Sequence, residues 1–239
     1  MKVTFLGTGM LTSKAKSTSF IVDEHILFDI GNGVTDAVVD NNIETNNIDT
    51  VVVSHHHTDH FGDIIYFITR RFLMGGTNKT LTIIGPSGTQ EKVEALYNIM
   101  NADVKGGKLL EFSNLKYVEL GDEEIYNLPG ITIKAFHVVH GANHCNGYLA
   151  YTETSSLGYS GDNEFCEELI KVIPLAKNWI IEANDIEGMK GWHIGIVDIE
   201  KLASENWGAN FYAVHRQDKK YSSDFKNVFL PTDGQSISI

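Results

Sequence analysis

The chain has 239 residues, with 19 basic and 31 acidic side chains and a formal net charge of −12. Hydrophobic residues make up 42% of the chain, which excludes a disordered protein, and the sequence contains no apolar run long enough for a membrane span. The acidic balance disfavours a protein that binds long nucleic acids, because neutralising their phosphates requires a basic surface. The only adjacent basic pairs are Arg70-Arg71 and Lys219-Lys220, and we expect both on the solvated surface.

Short apolar runs alternate with helical patterns along the whole chain, which predicts an α/β fold with helices packed on sheet. In the first half we predict strands at Val3–Leu6, Phe20–Val22, Ile26–Phe28, Thr50–Ser54 and Leu81–Ile84, and helices from Val34, over Asp59–Leu73 and from Gly85 to about Met100. In the second half we predict strands at Leu115–Leu120, Ile131–Val138, Gly147–Tyr151, Leu157–Ser160, Trp179–Ile181, Phe211–Val214, Val228–Leu230 and Ser236–Ile239, and helices at Glu164–Val172 and Ile196–Glu205.

The sequence gives no sign of a second domain, a secretion signal or a disulfide framework. We find no repeat or linker, and predict a single domain over residues 1–239. The first residues lack the long apolar region and small-residue cleavage site of a signal peptide, so we expect a cytoplasmic protein. The two cysteines, Cys145 and Cys166, are expected to be reduced thiols.

The strongest chemical signal is the H-x-H-x-D-H segment from His55 to His60, directly after an apolar strand. Imidazole nitrogens and carboxylate oxygens are ligands that zinc prefers in proteins. Alternate residues of an extended segment point the same way, so His55 and His57 can face one cation. Asp59 and His60 begin the next predicted helix and can face a second cation close by. The sequence therefore predicts a site for two metal ions.

This motif resembles that of the metallo-β-lactamase superfamily. The resemblance implies an αβ/βα four-layer sandwich with two metal ions at one edge of its sheets. It implies that the first metal is held by His55, His57 and a third histidine. The second metal would be held by Asp59, His60 and a late histidine, with a further aspartate bridging the two. His57 stands where iron-dependent flavodiiron members carry glutamate, which favours hydrolysis over redox chemistry.

Each remaining ligand of the superfamily has a candidate here. His140 is the best match for the third histidine, with His137 and His144 as rivals; His137 lies inside an apolar strand and is better explained by packing. Asp162, in the sequence Ser-Gly-Asp after a strand, matches the bridging aspartate. His215 follows the strand Phe211–Val214 and matches the late histidine.

Further segments resemble the ribonuclease Z-like branch of the superfamily, namely Leu6–Gly9, Phe28–Gly33, Glu182-Ala183, Trp192–Ile194 and Asp233-Gly234. In that branch a histidine like His193 protonates the leaving group and a glutamate like Glu182 supports it. The resemblance thus implies Asp59, His193 and Glu182 as catalytic residues. His193 is followed by Ile-Gly in place of the usual small hydroxylic residues. A helix-start role for His193 and a structural role for Glu182 therefore stay open.

Two adjacent cations lower the pKa of a bound water toward neutrality and neutralise charge at the attacked centre, which suits phosphodiester hydrolysis. The chain is similar to the phage anti-Pycsar phosphodiesterases, which cleave cyclic mononucleotides and so evade anti-phage defence. The gap between His140 and Asp162 leaves no room for the basic arm by which ribonuclease Z grips transfer RNA. We therefore predict hydrolysis of 3′,5′-cyclic mononucleotides to linear monophosphates.

Several alternatives remain open. The first is a ribonuclease Z-type transfer-RNA 3′-endonuclease or another small cyclic-phosphate phosphodiesterase. A lactonase or thioesterase comes next, and a nucleotide-sequestering protein without activity is last. We expect two divalent metal ions, zinc first and manganese as the alternative, and a homodimer by resemblance. Tyr148, Trp192 and Tyr212 lie near the motifs and are candidates for stacking on a base.

Overall fold

The computed structural model describes residues 1–100, 109–141 and 143–239, without the side chains of residues 109, 112, 143 and 144. The side chain of the rival ligand His144 therefore lies outside the described part of the chain. The elements of the first half are β1 (Lys2–Gly7), β2 (Ser19–Val22), β3 (Ile26–Phe28), α1 (Val34–Asp40), β4 (Thr50–Val52), α2 (Thr58–Phe61), α3 (Ile64–Leu73), β5 (Leu81–Gly85), α4 (Thr89–Met100), α5 (Leu109–Phe112) and β6 (Leu115–Glu119).

The second half continues with a mainly antiparallel run before it turns to parallel pairing. Its elements are β7 (Ile125–Leu128), β8 (Ile131–His140), β9 (Asn143–Tyr151), β10 (Ser156–Tyr159), α6 (Glu167–Val172), β11 (Asn178–Glu182), α7 (Ile196–Glu205), β12 (Asn210–Val214), β13 (Val228–Phe229) and β14 (Ser236–Ser238). Short 3-10 turns lie at Thr45–Asn47, Gly76–Asn78 and Ile173–Leu175.

The described strands form two seven-stranded mixed sheets, in the orders β14-β1-β2-β3-β4-β5-β6 and β13-β12-β11-β10-β9-β8-β7. Strands β3 to β6 pair in parallel, as do β10 to β13. Parallel strands are covered on both faces, which is why β4 and β5 are continuous buried runs. Strand β8 instead pairs antiparallel on both sides and carries half-buried residues between its buried ones.

The sheets pack face to face, with helices on both outer faces. The core between them includes Phe20 of β2 and Tyr159 of β10, whose rings meet edge to face with centroids 5.1 Å apart. Phe67 of α3 packs on the outer face of the first sheet, and Leu169 of α6 and Leu202 of α7 pack on that of the second. This arrangement confirms the four-layer sandwich.

The predicted helix Asp59–Leu73 is wrong in one respect, because the chain breaks at Gly62 and Asp63 into α2 and α3. The backbone N–H of Asp63 donates to Ile30 O at 3.0 Å, and Ile30 N donates to His60 O at 2.8 Å. Ile30, in the loop after β3, is therefore hydrogen-bonded to backbone groups on both sides of Gly62. This loop after β3 also positions part of the site described below.

Other boundaries also differ from prediction. The helices expected from Gly85 and Glu164 begin only at Thr89 and Glu167, after turns. Strand β7 is not predicted at all, because it is an edge strand with an exposed Ile125 and only partly buried neighbours.

One residue of the two basic pairs is not on the surface, contrary to expectation. Arg71 is buried rather than solvated, and its Nη2 donates to Lys79 O at 2.7 Å. Lys219 forms an ion pair with Asp185. In the part of the chain that is described, no helix combines the length and apolar character that crossing a membrane would require.

Candidate metal centre

The predicted site residues lie at the carboxyl ends of strands from both sheets. His55 follows β4, His140 ends β8, Asp162 follows β10, Glu182 ends β11 and His215 follows β12. Strands β10 to β12 are parallel, so their carboxyl ends meet at one edge of the sandwich. The side chains of the two halves converge there into one cluster.

The first group of the cluster contains His55, His57 and His140, which each place one ring nitrogen within 4.8 Å of those of the other two. His57 Nδ1 and His140 Nε2 are 3.2 Å apart. Two imidazole nitrogens on one tetrahedral zinc ion would be separated by about 3.3 Å. The group thus has the composition and spacing of three ligands to one cation. His137 lies on the same strand as His140 but belongs to none of the possible metal-binding groups of the described residues.

The second group contains Asp59, His60 and His215. His215 Nε2 lies 3.4 Å from Asp59 Oδ2, and His60 Nε2 lies 3.9 Å from the same oxygen. His215 has a φ of 55°, a left-handed conformation that costs a non-glycine residue free energy. This backbone turn after β12 brings its ring beside the start of α2.

Asp162 lies between the two groups. Its Oδ1 is 3.2 Å from His60 Nε2 and its Oδ2 is 3.3 Å from His215 Nε2. Its Oδ2 is also 4.0 Å from His55 Nε2 and 4.0 Å from His140 Nε2. One carboxylate therefore faces histidines of both groups, as a bridging ligand would.

The donor atoms of the cluster fit divalent cations. His55 Nε2, His60 Nε2 and Asp162 Oδ1 are buried and form no well-aligned hydrogen bond, although His60 Nε2 lies 3.2 Å from Asp162 Oδ1. Buried polar atoms in proteins nearly always have a partner, so these three atoms call for one. The opposite ring nitrogens of the histidines are already engaged: His55 Nδ1 by Ser54 Oγ and His140 Nδ1 by Trp192 O, at 3.1 and 2.8 Å. Such bonds fix the orientation of metal-ligating rings.

Without a cation, the cluster balances its own charges. Burial lowers the pKa of His215, but the charge of Asp162 and hydrogen bonds to Asp59 and Glu182 raise it to about 10. Burial likewise lowers the pKa of His60, and the charges of Asp162 and Asp29 raise it well above its ordinary value. Burial raises the pKa of Asp59, but the hydrogen bond with His215 lowers it to about 2. Without a cation, both ring nitrogens of His60 and of His215 thus carry a proton at neutral pH, so each ring has a proton on the nitrogen that would bind a cation.

The predicted acid His193 lies beside this cluster and is held by Glu182. His193 Nδ1 is 2.7 Å from Glu182 Oε2, and Glu182 Oε1 accepts a hydrogen bond from the Asn163 backbone. Burial lowers the pKa of His193, but the hydrogen bond and charge of Glu182 raise it above its ordinary value. The ring is half-buried and lines the cavity, so it can give a proton to a bound molecule.

The Ile-Gly pair after His193 has a packing explanation. Ile194 is fully buried. A Cβ atom on Gly195 would lie 2.3 Å from the backbone nitrogen of Gly188. Small hydroxylic residues therefore have no room at the second position, and this departure from the branch pattern does not displace His193 from the site.

Asp29 is a site residue that the sequence reasoning missed. It is fully buried and its Oδ2 accepts hydrogen bonds from His60 Nδ1 at 2.7 Å, Ser54 Oγ at 2.7 Å and Tyr159 OH at 2.5 Å. Its Oδ1 accepts from Ser54 N at 2.7 Å. The available signal was an aspartate directly after a buried strand, in the quoted segment Phe28–Gly33. Nothing local in the sequence revealed that its partners are 25 to 130 residues away.

The loop of Asp29 reaches the metal-binding motif only because residue 31 is glycine. A Cβ atom there would lie 1.8 Å from Asp59 O, which no side chain can occupy. The close approach brings Ile30 and the Asp29 loop against the start of α2. Gly31 is therefore required by packing against the motif.

The cluster opens into a cavity of about 340 Å³, within the size range of small-molecule sites. Its lining residues are Met10, Leu11, His57, Thr58, Asp59, His140, Asp162, Trp192, His193 and His215. None of these described lining residues is lysine or arginine. Three of these lining residues, Met10, Leu11 and Trp192, are apolar or aromatic; together they are called the apolar part of the cavity.

Comparison with known proteins agrees with the fold and the branch. The family model described as anti-Pycsar protein Apyc1 matches residues 1–231 of the chain. Ribonuclease Z from Staphylococcus epidermidis (strain RP62A) is 30% identical over 149 residues, which cover 59% of this chain and 46% of that protein. The chain therefore spans about half the length of the curated relatives it matches.

Two solved structures share the fold over nearly their whole length. The metallo-β-lactamase fold protein YhfI from Bacillus subtilis superimposes with a TM-score of 0.79 at 18% identity, over 99% of this chain and 98% of that one. The short form of human tRNase Z superimposes with a TM-score of 0.78 at 18% identity, over 100% and 99% of the two chains. The predicted metallo-β-lactamase fold is confirmed.

Proposed function

The chain belongs to the anti-Pycsar protein Apyc1 family, and we propose that it hydrolyses 3′,5′-cyclic mononucleotides to linear monophosphates. It is a metal-dependent hydrolase of the ribonuclease Z-like branch of the metallo-β-lactamase superfamily. The observation that carries the proposal is the composition of the cavity, in which a cluster suited to cations adjoins an apolar part. A cyclic mononucleotide has one phosphodiester and one planar base, and so matches both parts.

We assign one divalent cation to His55, His57 and His140, and a second to Asp59, His60 and His215, with Asp162 shared between them. The spacing of these groups and their unpartnered donor atoms support the assignment. Two bound cations would supply an activated water and would neutralise charge on the phosphoryl oxygens. Zinc suits the histidine-rich ligands, and manganese is the second candidate.

The chain's own residues perform the remaining steps. The water would lose one proton to solvent as its oxygen bonds to phosphorus, while one of the two ring P–O bonds breaks and its electron pair leaves on the ribose oxygen, which opens the ring. His193 gives its proton to the departing ribose oxygen, a general acid contribution of about 10²- to 10⁴-fold. Glu182 holds the imidazole through Nδ1 and favours its protonated form. Because Glu182 is buried, it stays fixed while His193 faces the substrate.

A small substrate explains the cavity better than transfer RNA does. The interval from His140 to Asp162 is used by β9 and β10, and the residues up to 192 form α6, β11 and short connections. The described segments thus contain no protruding arm between these ligands. Among the described residues, the cavity lining carries no lysine or arginine for further phosphates. Transfer-RNA cleavage is the second candidate, because the curated relatives at about 30% identity are named ribonuclease Z.

The test is to incubate the metal-loaded protein with 3′,5′-cyclic nucleotides and, in parallel, with a precursor transfer RNA, using Asp59→Ala as the blank. We expect ring opening of the cyclic nucleotides, seen as linear monophosphates by chromatography, and intact RNA. Cleaved RNA with untouched cyclic nucleotides would overturn the proposal and favour the second candidate. Turnover, rather than binding alone, also separates the enzyme from a nucleotide-sequestering protein.

Three further expectations remain predictions about the protein in solution. We propose that residues 1–239 act as one domain, that the protein is cytoplasmic, and that it forms a homodimer. Exposed apolar side chains on α3, Tyr66 and Leu73 among them, are available for such an interface, whereas Phe67 and Ile68 are buried in the core. Light scattering coupled to size-exclusion chromatography measures the assembly state.

A further inference from the structure

We propose that the indole of Trp192 is the surface on which the base of the substrate stacks, and that this contact selects nucleoside cyclic phosphates over phosphodiesters without a planar ring. The inference rests on the proposed function of the same cavity and names the residue that sets its substrate range. It starts from the apolar part of the cavity, which neither the cations nor His193 explains.

Trp192 is the aromatic candidate that the structure leaves at the cavity. Tyr148 is 1% exposed and its hydroxyl donates to Val53 O, so its ring is part of the core between the sheets. Tyr212 stacks on Phe229, with centroids 5.1 Å apart, and does not line the cavity. Trp192 lines the cavity and is 44% exposed, so part of the indole is open to a ligand.

Two hydrogen bonds fix the backbone of Trp192, and its ring packs beside Gly141 and His140. The backbone N–H of Trp192 donates to Met189 O at 2.9 Å, and its carbonyl accepts from His140 Nδ1 at 2.8 Å. The ring lies against Gly141, where a Cβ atom would come within 2.7 Å of Trp192 Cζ3 and where φ is 59°. Gly141 N in turn donates to Gly191 O at 3.1 Å. A ring fixed in this way loses little conformational entropy when a ligand stacks on it.

The position of Trp192 links the stacking surface to the cation cluster. Its carbonyl bonds to His140, and the two rings are 5.4 Å apart between centroids. A ligand with its phosphate at the cluster and its base at the indole therefore needs only the length of one nucleotide.

Met10 and Leu11 line the same apolar part from a second loop. Met10 N donates to Arg216 O at 3.1 Å, and Met10 Sδ accepts from Asn184 Nδ2 at 3.4 Å. Thr8 Oγ1 donates to Asp233 at 2.8 Å, which ties the start of this loop to the end of the chain. Leu11 remains 58% exposed. This loop supplies apolar contact to the ligand without a charge that would favour one base over another.

Stacking on an aromatic face tolerates every base, because each base has a π-face. Of the apolar lining residues, Met10 and Leu11 carry no strong hydrogen-bonding group, and the Trp192 indole offers a single donor, Nε1–H, so little is available for reading base edges. We therefore expect KM values for cyclic nucleotides of the four common bases to lie within about tenfold of one another. A ribose 3′,5′-cyclic phosphate without a base should bind much more weakly.

The test compares the wild-type protein with Trp192→Leu, Trp192→Phe and a matched control, Trp207→Leu. Trp207 is 72% exposed and does not line the cavity. Steady-state kinetics are measured on cyclic nucleotides and on the ribose cyclic phosphate without a base. Trp192→Leu should raise KM for the nucleotides by about 5- to 150-fold with kcat little changed, and leave the base-free substrate unaffected. Trp192→Phe should lie between, and Trp207→Leu should match wild type.

A second measurement does not depend on turnover. Calorimetric binding of a cyclic nucleotide to metal-loaded His193→Ala is compared with binding to His193→Ala that also carries Trp192→Leu, and bound metal is counted in both. We expect the same fold-loss in affinity as in KM, with metal content unchanged. In the kinetic panel, equal losses on the cyclic nucleotides and on the base-free substrate would show that Trp192 acts only by orienting His140. A loss of bound metal in the calorimetric samples would show the same, and either result would overturn the inference.

The kinetic panel also separates this inference from the proposed function. If wild type opens cyclic nucleotides and Trp192→Leu opens them with unchanged KM, stacking on Trp192 is wrong and the proposed function stands. If wild type leaves every cyclic nucleotide intact, the proposed function is wrong and the inference is overturned with it.

Discussion

Asp29 and His60 form a hydrogen bond of 2.7 Å between Oδ2 and Nδ1, and both side chains are fully buried. Once the ring of His60 is neutral, this bond fixes its tautomer, with the proton on Nδ1 and Nε2 available to a cation. The same carboxylate accepts hydrogen bonds from Ser54, which follows β4, and from Tyr159 of β10. Asp29 therefore links the segment before the motif to the second sheet.

Asp29→Asn should weaken metal binding by about 10- to 100-fold, the usual cost of losing a carboxylate behind a metal ligand. The amide would present an N–H₂ group where several donors already converge, so at least one of them loses its acceptor. Metal affinity is measured by competition with a chelator. Asp224→Asn, an exposed substitution, is the control and should leave the affinity unchanged. Unchanged affinity in Asp29→Asn would mean that Asp29 only stabilises the fold.

Gly31→Ala should abolish metal binding or unfold the protein, whereas Gly208→Ala should do neither. A Cβ atom at residue 31 would sit 1.8 Å from Asp59 O, but one at residue 208 meets nothing within 4 Å. The alanine at residue 31 must therefore push the Asp29 loop away from the motif. Thermal unfolding and metal content of the two variants give the comparison. A Gly31→Ala protein that keeps wild-type metal content would contradict this account of the close approach.

The sequence predicted most of the individual elements and the candidate ligands of the H-x-H-x-D-H motif, because both depend on local pattern. The spacing of the motif from His55 to His60 indicates a metal site, and the strand segments are apolar enough to be identified from the sequence. The convergence of His140, Asp162 and His215 on that motif was inferred from a resemblance, since no local signal specifies contacts between distant segments.

What the sequence could not predict depends on tertiary contacts. The break between α2 and α3 occurs because the Asp63 N–H bonds to Ile30, more than 30 positions earlier. The role of Asp29 depends on His60 and Tyr159, and a lone aspartate after a strand is also an ordinary turn residue. The burial of Arg71 follows from its carbonyl partner at Lys79, which the run of basic residues did not reveal.

Metal binding should release protons near neutral pH. In the cation-free chain the pKa of His215 is about 10 and that of His60 lies well above its ordinary value, so both rings are protonated at neutral pH. A cation can bind only after those protons leave. Apparent metal affinity should therefore fall as pH is lowered, by about tenfold per pH unit for each proton displaced, and this dependence on His215 should vanish above its pKa.

Calorimetry of metal binding in buffers with different ionisation enthalpies counts the released protons. His25→Gln is the control, because His25 is partly exposed beside Asp49 and lies outside the metal-binding groups. It should release as many protons as wild type. A binding enthalpy that is the same in every buffer would show that the rings are already neutral, and would overturn this prediction.

His193→Ala should lower turnover by about 10²- to 10⁴-fold while both proposed cations stay bound, because the proposed role of His193 is to give a proton to the leaving oxygen. Glu182→Gln should have a related but different effect. Without the charge of Glu182, burial lowers the pKa of His193. An acid must be protonated to act, so turnover should then decline at a lower pH than in wild type. Steady-state rates across pH, with metal content for each variant, measure both effects.

The decisive control for His193 is a substrate whose leaving group needs no proton. On a p-nitrophenyl phosphodiester, His193→Ala should recover most of the lost rate, because nitrophenolate departs without general acid help. His137→Ala, on β8 and outside the metal-binding groups, should behave as wild type on both substrates. His193, Glu182, Asp162 and His215 are also close enough to bind a cation together, so the metal count matters. Lost metal, or an equal rate loss on both substrates, would make His193 a ligand rather than the acid.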